Sequence, residues 1–194
     1  MLAAQSAWIG GRFVSHLILV TGGSRSGKSA YAQHRAETLP GPHGFLATCP
    51  VIDPEMQQRV DAHRLARHGH GWTTVEESVA LAAAIDQSAH LPVLLIDCLT
   101  LWVNNLMFEA EQRGQKITEH SISEYCQRLI HSCRKHAGTI FIVTNEVGMG
   151  IIPDNADARH FRDLAGRANQ EIAHHCDEVI WVVCGQPLTI KSRM

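Results

Sequence analysis

Residues 22 to 29 read Gly22-Gly23-Ser24-Arg25-Ser26-Gly27-Lys28-Ser29: a glycine, four residues, then Gly-Lys-Ser. That spacing lets successive backbone N–H groups, the positive end of a following helix and the Lys28 ammonium converge on one polyphosphate, while the Ser29 hydroxyl ligates Mg²⁺. The apolar run from His16 to Thr21 precedes it and a helix-compatible segment follows, which together make the strand, phosphate loop and helix of a nucleotide-binding unit. Spacing and flanks both count against the bland alternative, a glycine-rich turn that binds nothing.

Other residues could act beside this loop. Asp97 closes the apolar stretch Pro92-Val93-Leu94-Leu95-Ile96-Asp97, where a nucleotide-binding sheet keeps the carboxylate that holds Mg²⁺ directly or through water. Its structural alternative is a helix N-cap or turn residue. His63, within Arg59-Val60-Asp61-Ala62-His63-Arg64, could attack phosphorus, because neutral imidazole is a nucleophile near pH 7 and its adduct passes the group onward. By itself, such a histidine is ordinarily a solvated helix residue. A metal site from His63, His68 and His70 lacks the accompanying cysteines or carboxylates. Arg25, Arg64 and Arg67 could face a phosphate. Arg159, Arg162 and Arg167 read by default as the polar face of an amphipathic helix. The loop Asn145-Glu146-Val147-Gly148-Met149-Gly150 leaves the carboxyl end of a central strand, and contact with substrate and a plain strand-to-helix turn are equally open there.

The elements that must position these groups alternate in type. Strands are expected at residues 16–21, 44–48, 72–75, 92–97, 139–144 and 178–184, with an edge strand at 186–190. Helices are expected at 29–38, 53–65, 78–87, 100–111, 118–136 and 157–175. Asp53 and Pro54 suit the N-cap and first position of the second helix, and alanines carry the third. Nearly all-apolar strands joined by short crossovers predict an α/β protein with a mostly parallel central sheet and helices on both faces, its ligands at the carboxyl ends of the strands. Residues 1–15 form an accessory N-terminal extension, and residues 16–194 one domain.

With 194 residues the chain buries a sizeable core without staples. The six cysteines include no C-x-x-C pair and suit a reduced, cytoplasmic protein. A net charge of -2 and a pI near 6.7 provide no basic field for nucleic acid, so the expected partner is a small molecule. Neither a secretory leader nor a membrane span of roughly 18 apolar residues is apparent.

The chain resembles the bifunctional adenosylcobinamide kinase/adenosylcobinamide-phosphate guanylyltransferases of cobalamin biosynthesis. Four stretches carry the resemblance: Leu19 to Ser29, Asp53-Pro54-Glu55-Met56 leading to His63-Arg64, Val143 to Pro153, and Arg159 to Gln170. It implies a P-loop nucleotide-binding fold and two reactions. The first moves the terminal phosphate of ATP or GTP to the aminopropanol hydroxyl of adenosylcobinamide. In the second, a histidine attacks the α-phosphate of GTP and then hands GMP to adenosylcobinamide phosphate, giving adenosylcobinamide-GDP. By resemblance the guanylylated histidine is His63, and the nucleotide contacts fall on Gly22 to Ser29, on Thr48, Cys49 and Pro50, on Arg64, Leu65, Ala66 and Arg67, and on Glu76 and Asp97. A homotrimer is implied as well. The alternative is a monofunctional P-loop small-molecule kinase, which would need Lys28 and Asp97 but no nucleophilic histidine. A regulatory GTPase is disfavoured because the chain has no Asn-Lys-x-Asp guanine motif.

Overall fold

The computed structural model describes residues 15–50, 69 and 71–192, together with the backbone of 8–9 and 12–13. Two short strands, β1 (Trp8–Ile9) and β2 (Arg12–Phe13), pair antiparallel with each other, apart from the main sheet. The chain then runs β3 (His16–Gly22), α1 (Lys28–Glu37), β4 (His43–Ala47), β5 (Trp72–Glu76), α2 (Leu81–Gln87), β6 (Val93–Asp97), α3 (Leu99–Gln112) and α4 (Glu119–Lys135). It continues through β7 (Thr139–Val143), α5 (Ala156–His175), β8 (Glu178–Val183) and β9 (Gln186–Ser192). The helix expected at 53–65 lies outside the described residues.

Seven strands form one sheet in the order β5-β4-β6-β7-β3-β8-β9, parallel except for β9, which returns antiparallel along β8. Strand side chains alternate between faces, so each apolar strand serves two cores. Leu17, Leu19, Leu94, Ile96, Ile140 and Ile142 pack beneath α2 to α5. Ile18, Val20, Val93, Leu95, Phe141 and Val143 face α1, whose Ala32 and Ala36 keep that helix close to the sheet. Strands so covered need apolar residues at every position, which is why they read as continuous runs.

Polar contacts set several boundaries. Glu77 Oε1 accepts the backbone N–H groups of Val79 and Ala80, each at 2.8 Å, and α2 starts at Leu81 rather than at the expected Ser78. At the other helix starts, Thr118 and Ser121 cap α4 reciprocally and Asn155 caps α5. Asp177, 4 % exposed, pairs with Arg134 at 2.8 Å and accepts the Leu17 N–H at 2.9 Å, which ties the start of β3 to the end of α4.

Candidate active site

The glycine-rich loop expected to bind phosphate leaves β3 and enters α1 through backbone that only certain residues tolerate. Gly27 caps α1 with φ +93°, in the left-handed region where a side chain is strained, and Arg25 sits at φ +56°. The hairpin turn between β8 and β9 presses on the loop from outside. A Cβ on Gly22 would lie 2.5 Å from the Val182 carbonyl oxygen, and one on Gly27 would lie 3.3 Å from Gly185 Cα. The Gly185 N–H donates to the Ser26 carbonyl at 2.8 Å, strapping the loop in place. Gly22 and Gly27 are therefore required by close approach as well as by the turn.

Lys28 is 8 % exposed, and its ammonium donates to the Gly23 carbonyl at 3.0 Å, curling back over the loop. Burial lowers its pKa, and the neighbouring Cys98 and Asp97 oppose that shift. Asp97 is thus within electrostatic reach of the loop lysine. The hydroxyls of Thr21 and Ser26 are buried and find no hydrogen-bond partner among the described residues. Orphaned hydroxyls at the entrance to and within a loop that also holds a buried ammonium suit an anionic, oxygen-rich ligand.

Strand register arranges the rest of the rim. Glu76 pairs with Ala47, Ala47 with Asp97, Asp97 with Val143, and Val143 with Val20, which puts the carboxyl ends of five strands in one row. Asp97 is two strand spacings from β3 and Glu76 four, about 10 and 19 Å. A nucleotide touching both the loop and Glu76 would have to lie along the rim. Asp97 ends its strand, and the N-cap of α3 is Cys98, so the capping role considered for Asp97 falls to its neighbour.

Thr48 is completely buried. Its hydroxyl donates to the Cys98 carbonyl at 2.8 Å and accepts the Cys98 N–H at 2.7 Å, and its own N–H donates to the Asp97 carbonyl at 3.2 Å. Its side chain is thereby committed to setting the backbone that carries Asp97. Burial, followed by the Asp97 charge, raises the Cys98 thiol pKa to about 11, leaving it neutral at physiological pH. Cys49 and Pro50 are half-buried beyond β4. His63, Arg64, Leu65, Ala66 and Arg67 lie outside the described residues.

The segment after β7, the strand between β3 and β6, borders a cleft of about 770 Å³ whose lining includes Glu146, Met149, Ile152, Arg162, Arg167 and Gln170. The Glu146 N–H donates to the Gly22 carbonyl at 3.1 Å, so cleft and phosphate loop share a wall. A buried network sets the root of the segment. Thr144 Oγ1 donates to Asn169 Oδ1 at 2.7 Å and lies 3.1 Å from Thr100 Oγ1. The latter accepts the Asn145 N–H at 2.7 Å, and Asn169 Nδ2 donates to the Asn145 carbonyl at 3.0 Å. Arg162 and Arg167, expected as a plain polar helix face, instead line this cleft because α5 packs beside the loop. Arg159 is engaged with the same segment, donating to the Pro153 carbonyl at 2.9 Å. The glycines at the carboxyl end of β7 were the one sequence signal of the cleft, and nothing in the sequence pointed to the strap from Gly185.

The family described as cobinamide kinase / cobinamide phosphate guanyltransferase, CobU, matches residues 18–190. A protein of Escherichia coli K12 named bifunctional adenosylcobalamin biosynthesis protein CobU is 40% identical over 185 residues, covering 90% of this chain and 99% of its own. Its namesake in Salmonella typhimurium is 41% identical over 182 residues, with the same coverage. The bifunctional adenosylcobalamin biosynthesis protein CobP of Pseudomonas aeruginosa is 36% identical over 178 residues, covering 90% of this chain and 96% of its own. Matched nearly end to end by such relatives, the chain belongs to the CobU family of cobinamide kinase / cobinamide phosphate guanyltransferases.

Proposed function

We propose that this protein is a P-loop enzyme that phosphorylates adenosylcobinamide with ATP or GTP and then transfers GMP from GTP to the product through a guanylyl-histidine. The observation that carries the reading is the buried Lys28 ammonium, folded over a glycine loop at the carboxyl end of β3 and electrostatically coupled to Asp97. Family membership supplies the acceptor.

In the kinase step, the loop's N–H groups, the start of α1 and Lys28 hold the triphosphate and offset the charge that develops on the leaving diphosphate. The acceptor hydroxyl attacks the terminal phosphorus, its bond to the bridging oxygen breaks, and the diphosphate leaves with the electron pair. The residues suited to Mg²⁺ are Ser29 and Asp97, both hard oxygen donors. Among the described residues no group of three or more His, Cys, Asp or Glu could hold a metal. Two protein oxygens beside phosphates match the way Mg²⁺ is usually held, and the ion would supply charge neutralisation.

In the guanylyl step, a neutral His63 nitrogen attacks the α-phosphorus of GTP and pyrophosphate departs with the bridging electrons. A phosphate oxygen of adenosylcobinamide phosphate then attacks the same phosphorus, and the N–P bond breaks to restore imidazole. Cys49, Pro50, Arg64, Leu65, Ala66, Arg67 and Glu76 complete the proposed nucleotide contacts, with Thr48 acting through Asp97. Residues 16–194 are read as one catalytic domain, and the working form as a cytoplasmic homotrimer. No helix among the described residues is long and apolar enough to cross a membrane.

Incubation with α-labelled GTP tests the reading. Wild-type protein is expected to retain acid-labile label and His63→Ala none, while His63→Ala still phosphorylates cobinamide. A wild type that phosphorylates cobinamide yet never holds label would be a monofunctional kinase.

A further inference from the structure

We infer that the cleft between the segment after β7 and helix α5 is the seat of the corrin ring of the acceptor, so that the shared wall at Glu146 separates acceptor from triphosphate. The inference deepens the proposed function and rests on its identification of the acceptor as a corrinoid.

Position comes first. Glu146 lines the cleft with its side chain while its N–H holds the Gly22 carbonyl at the entrance to the phosphate loop. A ligand in the cleft therefore lies next to the bound triphosphate, where phosphoryl transfer needs its hydroxyl.

Charge comes second. Among the described residues, Glu119, Glu146 and Asp163 line the cleft with Arg162 and Arg167. Both guanidiniums already have acidic neighbours: Arg162 lies 3.5 Å from Asp163, and Arg167 3.8 Å from Glu171. A second polyphosphate would meet more negative than positive charge here. Neutral groups that both donate and accept hydrogen bonds suit such a mixed lining, and the carboxamide fringe of a corrin ring is made of them.

Shape and surface come third. Met149, Ile151 and Ile152 are 70 %, 96 % and 64 % exposed, an apolar cluster on one short segment at the cleft's edge. Gly150 and Gly166 also border the cleft, and a Cβ on either would meet nothing within 4 Å. Packing between neighbours does not require these two glycines, and their lack of side chains leaves room for a broad ligand. The volume is within the range of small-molecule sites, and a wide ring with an apolar face and an amide edge matches this combination.

Titration with dicyanocobinamide, followed by its visible absorbance, tests the assignment in the full-length protein. The double variant Met149→Asp/Ile152→Asp is expected to bind the corrinoid at least tenfold more weakly than wild type, with label retained from α-labelled GTP within twofold. Should its melting temperature fall, Met149→Ser/Ile152→Ser takes its place, with at least threefold weaker binding expected. Corrinoid binding within twofold of wild type in a folded variant overturns the inference, as does a wild type that binds no corrinoid. A wild type that binds dicyanocobinamide through the cleft but never phosphorylates cobinamide leaves the inference standing and removes the kinase reading instead.

Discussion

Two loops leave neighbouring strands at the same end of the sheet and are built in opposite ways. The loop after β3 is pinned at both ends: Gly22 and Gly27 are hemmed in by β8 and the hairpin turn, Ser26 is strapped by Gly185, and Lys28 is buried. The segment after β7 is fixed at its root by the Thr100, Thr144 and Asn169 network and at its far end by Arg159, and between the two it presents exposed apolar residues. The contrast follows what each must hold. Phosphates have one shape and demand donors in fixed positions, whereas a large ring is gripped by area and tolerates a looser surface.

The comparison predicts that damage on the two sides will separate in kinetics. Lys28→Met should produce the largest loss, about 10²- to 10³-fold in kcat/KM for both reactions, because it removes a buried cation aimed at the phosphates; steady-state rates with each nucleotide check this. Gly185→Pro deletes the N–H that straps Ser26 and cannot adopt φ +76°. It should raise the KM for triphosphate about tenfold, corresponding to about 1.4 kcal/mol, while leaving dicyanocobinamide binding within twofold. An equal loss of both ligands would mean that the strap supports the whole rim, and the contrast between loops would fail.

Asn169→Ala tests the other side. It removes the side chain that accepts from Thr144 and donates to the Asn145 carbonyl. It should lower stability by about 1–3 kcal/mol and weaken corrinoid binding about threefold, with triphosphate KM nearly unchanged. Thermal melting and the two titrations distinguish these effects.

The smallest effect is with pH. Burial lowers the Lys28 pKa below 10.5, so its charge is lost at a lower pH than an ordinary lysine's. Triphosphate affinity should begin to fall on the alkaline side before that value, and Lys28→Arg should hold affinity level across the same range. The sign for folding is opposite. With its pKa depressed, Lys28 favours the native state more as pH rises, so the loss of binding cannot be unfolding through this group.

Strand and helix were legible in the residues because both faces of the sheet are covered and every central strand had to be apolar. The glycine turn from β3 into α1 was legible because the residues that shape it are neighbours in sequence. Other features depend on distant partners. Thr48 reads as the last residue of a buried strand until its hydroxyl is seen to hold Cys98, fifty positions away. Arg162 and Arg167 read as solvent-facing because helical periodicity says which side of α5 they occupy, but not that a loop from β7 would border that side. The late start of α2 has the same origin on a smaller scale, since a propensity for alanine helix says nothing of the Glu77 carboxylate that takes the first N–H groups.

The strap from Gly185 gives the protein an order of assembly. Residues 16–37, which include the loop and the helix behind it, leave the ribosome early, yet Ser26 gains its anchor only after residue 185 has been made. A nascent chain stopped just short of the turn between β8 and β9 would already carry the six parallel strands, but its nucleotide cradle would still be untied.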